Sequence, residues 1–279
     1  IQQPDIYYGL TSNSPYVLAP NEVKEMDYPE GESNVLTDYR GQGGVPLSSL
    51  FRKLLCAVYF KDRNLFFTTK TNEKTKVLFR RSIVERIRRL TPYLLLDSDP
   101  YVVVTSQGVF WIQDAYTTSE RYPNAQPGSN HFNYMRNSVK IVVDAYNGSV
   151  TYYIADPKDP MIQAYRRMYP GLLKSLEQMS AELKPHLRYP KDFFVEQMGI
   201  YGKYHQTDPE LFYRQEDIWD FAAGLKGQES VDMRPYYLTI NLVERSRHEF
   251  LLLSPMSPTG RDNLRSLAVA RCDGENYGK

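Results

Sequence analysis

The residues able to do chemistry are few and scattered. The histidines His131, His186, His205 and His248 have no ligand partner at metal-binding spacing, and no CxxC pair exists, so no metal centre is expected. Asp97-Ser98-Asp99 begins like a calcium loop, but Tyr101 stands where the third oxygen ligand belongs and no glycine follows. It reads instead as a strand-entry turn ahead of Pro100. Gly41-Gln42-Gly43-Gly44 lacks the Gly-Lys-Ser/Thr ending of a phosphate loop, and reads as a flexible connection into the first helix. A Gly-x-Ser-x-Gly nucleophile elbow is absent. What remains is a pair of carboxylates. Asp114-Ala115-Tyr116 recurs thirty positions later as Asp144-Ala145-Tyr146, each read at a strand end. There the two aspartates either face each other as an acid–base pair or cap backbone turns.

The elements that must position these residues follow from periodicity. Residues 1–46 are rich in Pro, Gly, Asn and Tyr and read as short strands and loops. Leu47, Leu50, Phe51, Leu54, Leu55 and Val58 recur at helical spacing, with Pro46 suited to the first turn. A second helix is expected from Lys74 to Leu90, burying Phe79, Ile83, Ile87 and Leu90 and carrying arginines on its other face. The arginine run Arg80, Arg81, Arg86, Arg88, Arg89 reads as a solvated face, with anionic head groups as the alternative. The period then becomes two. Tyr101–Val104 and Val109–Ile112 flank Ser106-Gln107-Gly108, and Val139–Val143 and Val150–Ile154 flank Asn147-Gly148, a type I′ signal. Residues 156–222 turn helical, with Asp159-Pro160 and Asp208-Pro209 each pairing an N-cap aspartate with a first-turn proline. Strands return at Tyr236–Val243, Phe250–Leu253 and Leu267–Cys272. Strands and helices in separate runs argue for an α+β fold, an antiparallel sheet built from hairpins with helices before and after it.

Composition narrows the class. The 279 residues carry a net charge of +1, with 42% hydrophobic and 24% charged residues, an ordinary globular balance without the basic excess of a nucleic-acid binder. No nucleic-acid partner is expected. Aromatic residues reach 13%, dominated by 23 tyrosines, whose amphipathic rings suit binding surfaces as well as strand faces. Cys56 and Cys272 do not make a disulfide scaffold; Cys56 lies in an apolar run and reads as a buried inert thiol, and a bridge between the two stays open. No stretch approaches the roughly 18 continuous apolar residues of a membrane span. Starting at Ile1 and stopping at Lys279, the chain reads as a piece of a longer protein. Without a linker-like stretch, residues 1–279 are expected to form one domain, with sub-regions 1–95, 96–155, 156–222 and 223–279; two domains remain the alternative.

Several motifs resemble a known family. Leu96–Tyr101, Trp111–Pro123, Asn133–Lys140, Val143–Gly148, His186–Pro190, Tyr204–Pro209, Pro235–Leu238 and Asp273–Lys279 are similar, in order and spacing, to a widespread uncharacterised family of bacterial multi-pass membrane proteins. The resemblance covers essentially the whole chain. It implies N-terminal spans followed by a large extracytoplasmic domain at the cell membrane, of which this chain is a fragment. The membrane-embedded part of the same protein is then an implied partner. It implies no reaction and transfers no catalytic residue or cofactor. Val139–Ile154 alone also resembles the hairpin of PepSY-type regulatory modules.

The leading expectation is a non-enzymatic module that binds an envelope glycan, lipid or protein. Its candidate binding residues are Asp97, Asp99, Asp114, Tyr116, Tyr122, Arg136, Asn137 and Asp144. Alanine at Tyr116, Tyr122 and Arg136 should weaken binding without unfolding. The alternatives are an envelope hydrolase or transferase using strand-end carboxylates roughly 5–9.5 Å apart in an open cleft, and a sensor domain that changes shape on binding.

Overall fold

The computed structural model describes residues 1–279 apart from Glu32, Ser129, Gly227, Gln228, 242–247 and Asp262, and describes 225, 226 and 229–232 by backbone alone. The first strands are β1 (Tyr16–Ala19), β2 (Glu25–Glu30), β3 (Ser33–Thr37) and β4 (Val45–Pro46), as short as the Pro- and Gly-rich composition demands. Helix α1 (Leu50–Phe60) starts three residues later than its apolar spacing suggested. Ser49 caps it, accepting from the Arg52 amide at 3.3 Å, and Pro46 pairs with Lys76 in a sheet instead of opening the helix. The expected stripe is also turned round. Ala57 is buried and Cys56 half-buried, while Leu50, Phe51, Leu54, Leu55 and Val58 are exposed. Helix α2 (Arg63–Phe67) follows.

The helix expected over 74–90 is in fact two elements. Strand β5 (Lys76–Phe79) pairs with β1, Tyr16 opposite Phe79, and with β4; helix α3 (Ile83–Leu90) begins after Arg80, whose φ of 49° breaks the chain direction. Sheet pairing overrides the local helical spacing there. Ile83 and Ile87 are fully buried as expected, but Leu90 is exposed.

Strands β6 (Leu95–Leu96), β7 (Tyr101–Val104), β8 (Val109–Ser119), β9 (Tyr134–Asp144), β10 (Val150–Ile154) and, after helix α4 (Pro160–Met168), β11 (Leu173–Ser175) form one sheet in the order β11-β10-β9-β8-β6, with β7 also paired to β8. Both expected hairpins are present. The β9–β10 connection is a five-residue loop in place of the two-residue type I′ turn: Gly148 has φ of 68°, but Asn147 does not join it at positive φ. Asp114 lies inside β8, not at its end, because pairing of Leu95 with Tyr116 and Leu96 with Ala115 carries the strand on to Ser119.

Asp159 and Asp208 cap α4 and α6 (Pro209–Arg214) with proline at the first turn, and α5 (Lys191–Tyr204) stands between them. The C-terminal strands are β12 (Trp219–Phe221), β13 (Ala223–Lys226), β14 (Glu229–Asp232), β15 (Tyr236–Ile240), β16 (Glu249–Pro258) and β17 (Ser266–Arg271). β16 is the centre of an antiparallel sheet with β12, β15 and β17. Of the strand expected to Val243, Leu242 and Val243 lie outside the described residues.

The chain divides into two compact units. One comprises Ile1–Tyr93, Pro100–Ile112 and Ile141–Tyr152; the other comprises Leu94–Asp99, Gln113–Lys140 and Tyr153–Lys279. The first has a core that includes Leu47, Leu65 and Val77, and the second one that includes Tyr189, Phe194, Leu252 and Cys272. Both cysteines are free thiols. Among the described residues no helix is long and apolar enough to cross a membrane.

Candidate functional site

In the second unit Asp97, Asp99, Asp114, Tyr116 and Asn137 of the expected residues fall into one polar network, buried at Asp97, Asp114 and Tyr116. Asp114 on β8 and Lys140 on β9 form an ion pair, each only 2–3% exposed at its side chain. The Lys140 ammonium also donates to the Arg188 carbonyl at 3.0 Å and to the Tyr277 hydroxyl at 2.9 Å. That hydroxyl accepts a further bond from Asn137 Nδ2 at 3.1 Å and donates to the Arg188 carbonyl at 3.0 Å. Alternation along β8 explains the neighbours. Tyr116, two residues on from Asp114, donates to the Asp97 carboxylate and stacks 6.0 Å from Phe193. Asp97 also accepts from the amides of Asp99 (2.8 Å) and Asp192 (2.9 Å), while the Asp192 carboxylate accepts from the Ser98 amide and hydroxyl at 2.7 Å. The 97–99 turn and the first turn of α5 therefore clasp each other. Asp99 closes the clasp with Lys191 at 2.8 Å.

Burial sets the electrostatics. Loss of water pushes the Asp114 carboxyl up to about 6, against the pull of Lys140. Burial likewise raises Asp97, opposed by its hydrogen bonds from Tyr116 and the two amides, and drives the Tyr116 hydroxyl far above the ordinary tyrosine range. All three Lys140 protons have acceptors, so the network is built to hold a charge pair in place, not to pass a proton on. Tyr116, with no exposed surface, is a core residue, which corrects the expectation that its alanine variant would weaken binding without unfolding.

Tyr122 and Arg136 lie in the same unit, on the surface. Tyr122 stacks on Tyr134 at 5.5 Å, Arg136 pairs with Asp156 at 3.3 Å, and the Tyr134 hydroxyl reaches Asp159 at 2.6 Å. Asn133 pins the intervening loop by bonding both the amide and the carbonyl of Tyr122. Asp159 also accepts from Thr117 (2.5 Å), Ser138 (2.7 Å) and the Met161 amide (3.0 Å). Burial works to raise its carboxyl, but these donors win and hold it below the usual range.

In the first unit, Asp144 caps a turn: it accepts from the Tyr146 and Asn147 amides and from Asn147 Nδ2 at 2.7–2.9 Å. Asp144 thus follows the turn-capping reading, and Asp114 is enclosed by Lys140, so neither carboxylate is free for the alternative acid–base role. Among the described residues no group of three or more His, Cys, Asp or Glu side chains is placed to hold a metal ion.

The first unit also holds a site that the sequence did not reveal. The Tyr146 hydroxyl accepts from the Arg40 amide at 2.7 Å, Asn147 Oδ1 accepts from the Gln42 amide at 2.8 Å, and Lys76 Nζ donates to the Gly41 carbonyl at 2.9 Å. The glycine run is thus a fixed wall. A Cβ on Gly43 would stand 2.2 Å from the Asn147 carbonyl oxygen, so no other residue fits without backbone movement. Behind it Tyr7, Tyr39 and Tyr146 pack edge-on and tilted, with ring centroids 4.6–5.5 Å apart. At Gly41 the wall borders a cleft of about 620 Å³, lined also by Asp38, Tyr39 and Arg40 and by Asn72, Glu73, Lys74 and Lys76. Only the glycines signalled it locally; their partner Asn147 lies 105 positions away.

These features define an α+β protein of two compact units, with a locked ionic network in one and a polar cleft in the other. The chain belongs to the uncharacterised protein family UPF0182, whose pattern matches residues 1–279. It is 56% identical to a UPF0182 protein of Nitrosococcus oceani over 292 aligned positions and 56% identical to one of Syntrophobacter fumaroxidans over 282, covering all of this chain and 33% and 32% of those proteins. A UPF0182 protein of Synechococcus sp. is 47% identical, again over the whole chain and 34% of the relative. The chain therefore spans about a third of the length of these curated relatives. No solved structure matches it.

Proposed function

We propose that this chain is a ligand-binding part of a larger bacterial membrane protein, that it stands on the extracytoplasmic side, and that the cleft beside Gly41–Gly44 receives an envelope glycan or peptide. The carrying observation is the wall itself: three hydrogen bonds from distant residues fix a glycine loop beside side chains of both charges, and rigid walls reduce the ordering cost of binding. Arg40, Lys74 and Lys76 suit carboxylates, Asp38 and Glu73 suit ammonium or hydroxyl groups, and Pro20 and Pro46 add apolar lining. The fragment's share of its relatives' length leaves room for the membrane-embedded partner.

Thermal shift with a soluble disaccharide–peptide from the cell wall tests this reading, with calcium, zinc and glycerol phosphate as comparison probes. A ligand at a hundred times its dissociation constant adds about 2.7 kcal/mol, roughly 5–10 °C for a chain this size. The expected result is a shift with the cell-wall fragment that disappears in Arg40→Ala and Lys74→Ala, both of which should melt like the parent without ligand. A shift retained by both variants places the ligand elsewhere.

A further inference from the structure

Helix α1 buries its smaller apolar side and exposes its larger one. At 100° per residue, Cys56, Ala57 and Phe60 share the face turned to the core of the first unit. Leu50, Phe51, Leu54, Leu55, Val58 and Tyr59 cover the other half of the cylinder, and all six are exposed: Leu50 72%, Phe51 67% and Val58 69%. In the adjoining α2, Phe67 is 73% exposed. Scattered apolar residues on a surface need no explanation, but a whole helix face does.

Charge says what covers it. Residues 50–76 hold seven basic side chains (Arg52, Lys53, Lys61, Arg63, Lys70, Lys74, Lys76) against Asp62 and Glu73, a net of 7 − 2 = +5, in a chain whose total is +1. The remainder is therefore −4. Among the described residues none of the seven is ion-paired, and Arg52, Lys61, Arg63, Lys70 and Lys74 are exposed. Exposed Leu and Phe on one helix face with basic residues around it is the pattern of a helix that lies in a bilayer interface, its apolar side at the head-group boundary and its cations among anionic lipids.

We propose that α1 and α2 form a membrane-surface element that seats the first unit on an anionic bilayer. Phe51, Leu55 and Val58 enter the acyl boundary, and Lys61, Arg63 and Lys70 meet the lipid phosphates. The proposal does not rest on the Gly41–Gly44 cleft, and the two fail separately.

The test is co-flotation of this chain with vesicles of phosphatidylcholine alone or with 30% phosphatidylglycerol, alongside Phe51→Ser/Val58→Ser and Lys61→Gln/Arg63→Gln. Both substituted pairs are exposed, and circular dichroism melting should match the parent. Expected are at least tenfold stronger partitioning onto the anionic vesicles, a loss of tenfold or more in the apolar variant, and weakening by 0.5 M salt and in the charge variant. In Phe51→Trp, emission should move to the blue and be quenched by lipids brominated on the acyl chain. Equal binding by parent and apolar variant, no partitioning, or no acyl quenching overturns the proposal. So does sedimentation showing a dimer that Phe51→Ser/Val58→Ser dissolves, because the face would then belong to a second copy.

Discussion

At the residue scale, Lys140 has the largest expected effect on stability. Removing one member of a buried ion pair leaves the other charge without compensation, which costs about 3–5 kcal/mol, whereas replacing both with apolar groups is often neutral. Lys140→Met should therefore lower the urea midpoint sharply, and Lys140→Met/Asp114→Leu should recover most of the loss. Because the Asp114 carboxyl is raised from 3.8 to about 6, the folded state keeps that proton longer than the unfolded one, and the Asp114 contribution falls as pH rises across this window. The double variant removes this slope. Asp159 has the opposite sign. Its carboxyl is held below 3.8, so its contribution is complete above that value and is lost as pH falls through the folded one. The stability gap between parent and Asp159→Asn should accordingly be wide at pH 7 and shrink as pH falls below 3.8; a gap independent of pH would show that its donors do not favour the charged form.

At the scale of elements, the glycine wall is the point most sensitive to one added methyl. Gly43→Ala forces backbone apart at the Asn147 carbonyl, and overpacking of this kind costs about 1–3 kcal/mol. Melting should fall by that measure and the Arg40 amide should exchange faster. Element reading from sequence succeeded where the signal is local. Asp159-Pro160 and Asp208-Pro209 state both cap and first turn within two residues. It failed where the deciding partner is remote. Phe79 carries helical spacing with Ile83 and Ile87, and pairing with β1, some sixty positions earlier, and with β4 makes Lys76–Phe79 a strand. Helix α1 was found, yet its apolar spacing cannot say which side meets the core, because both sides are apolar. Asp97, Asp114 and Asn137 were singled out from sequence, but Lys140, Arg188, Asp192 and Tyr277, which complete their network, lie up to 137 positions apart and have no shared motif.

At the scale of the whole molecule, the two units are interleaved along the chain, which passes between them at five points. Neither can be released by one cut. Residues 153–279 expressed alone would lack Asp97, Asp114, Tyr116 and Lys140, and are expected to be largely unfolded by circular dichroism and to bind a hydrophobic dye. A cooperative transition at the temperature of the full chain would show that the network is dispensable to that unit.

The reach from Lys140 to Tyr277 also has a meaning in time. On the ribosome the lysine emerges 137 residues before the hydroxyl that completes its shell. At about 5–20 residues per second that is a wait of roughly 7–27 s. Through the first part of this interval the ammonium of Lys140 has only Asp114 and water, and the Arg188 carbonyl joins them 48 residues after the lysine. Of the three acceptors that enclose this cation, a tyrosine is the latest to be made, so its shell can be complete only after position 277 has left the ribosome.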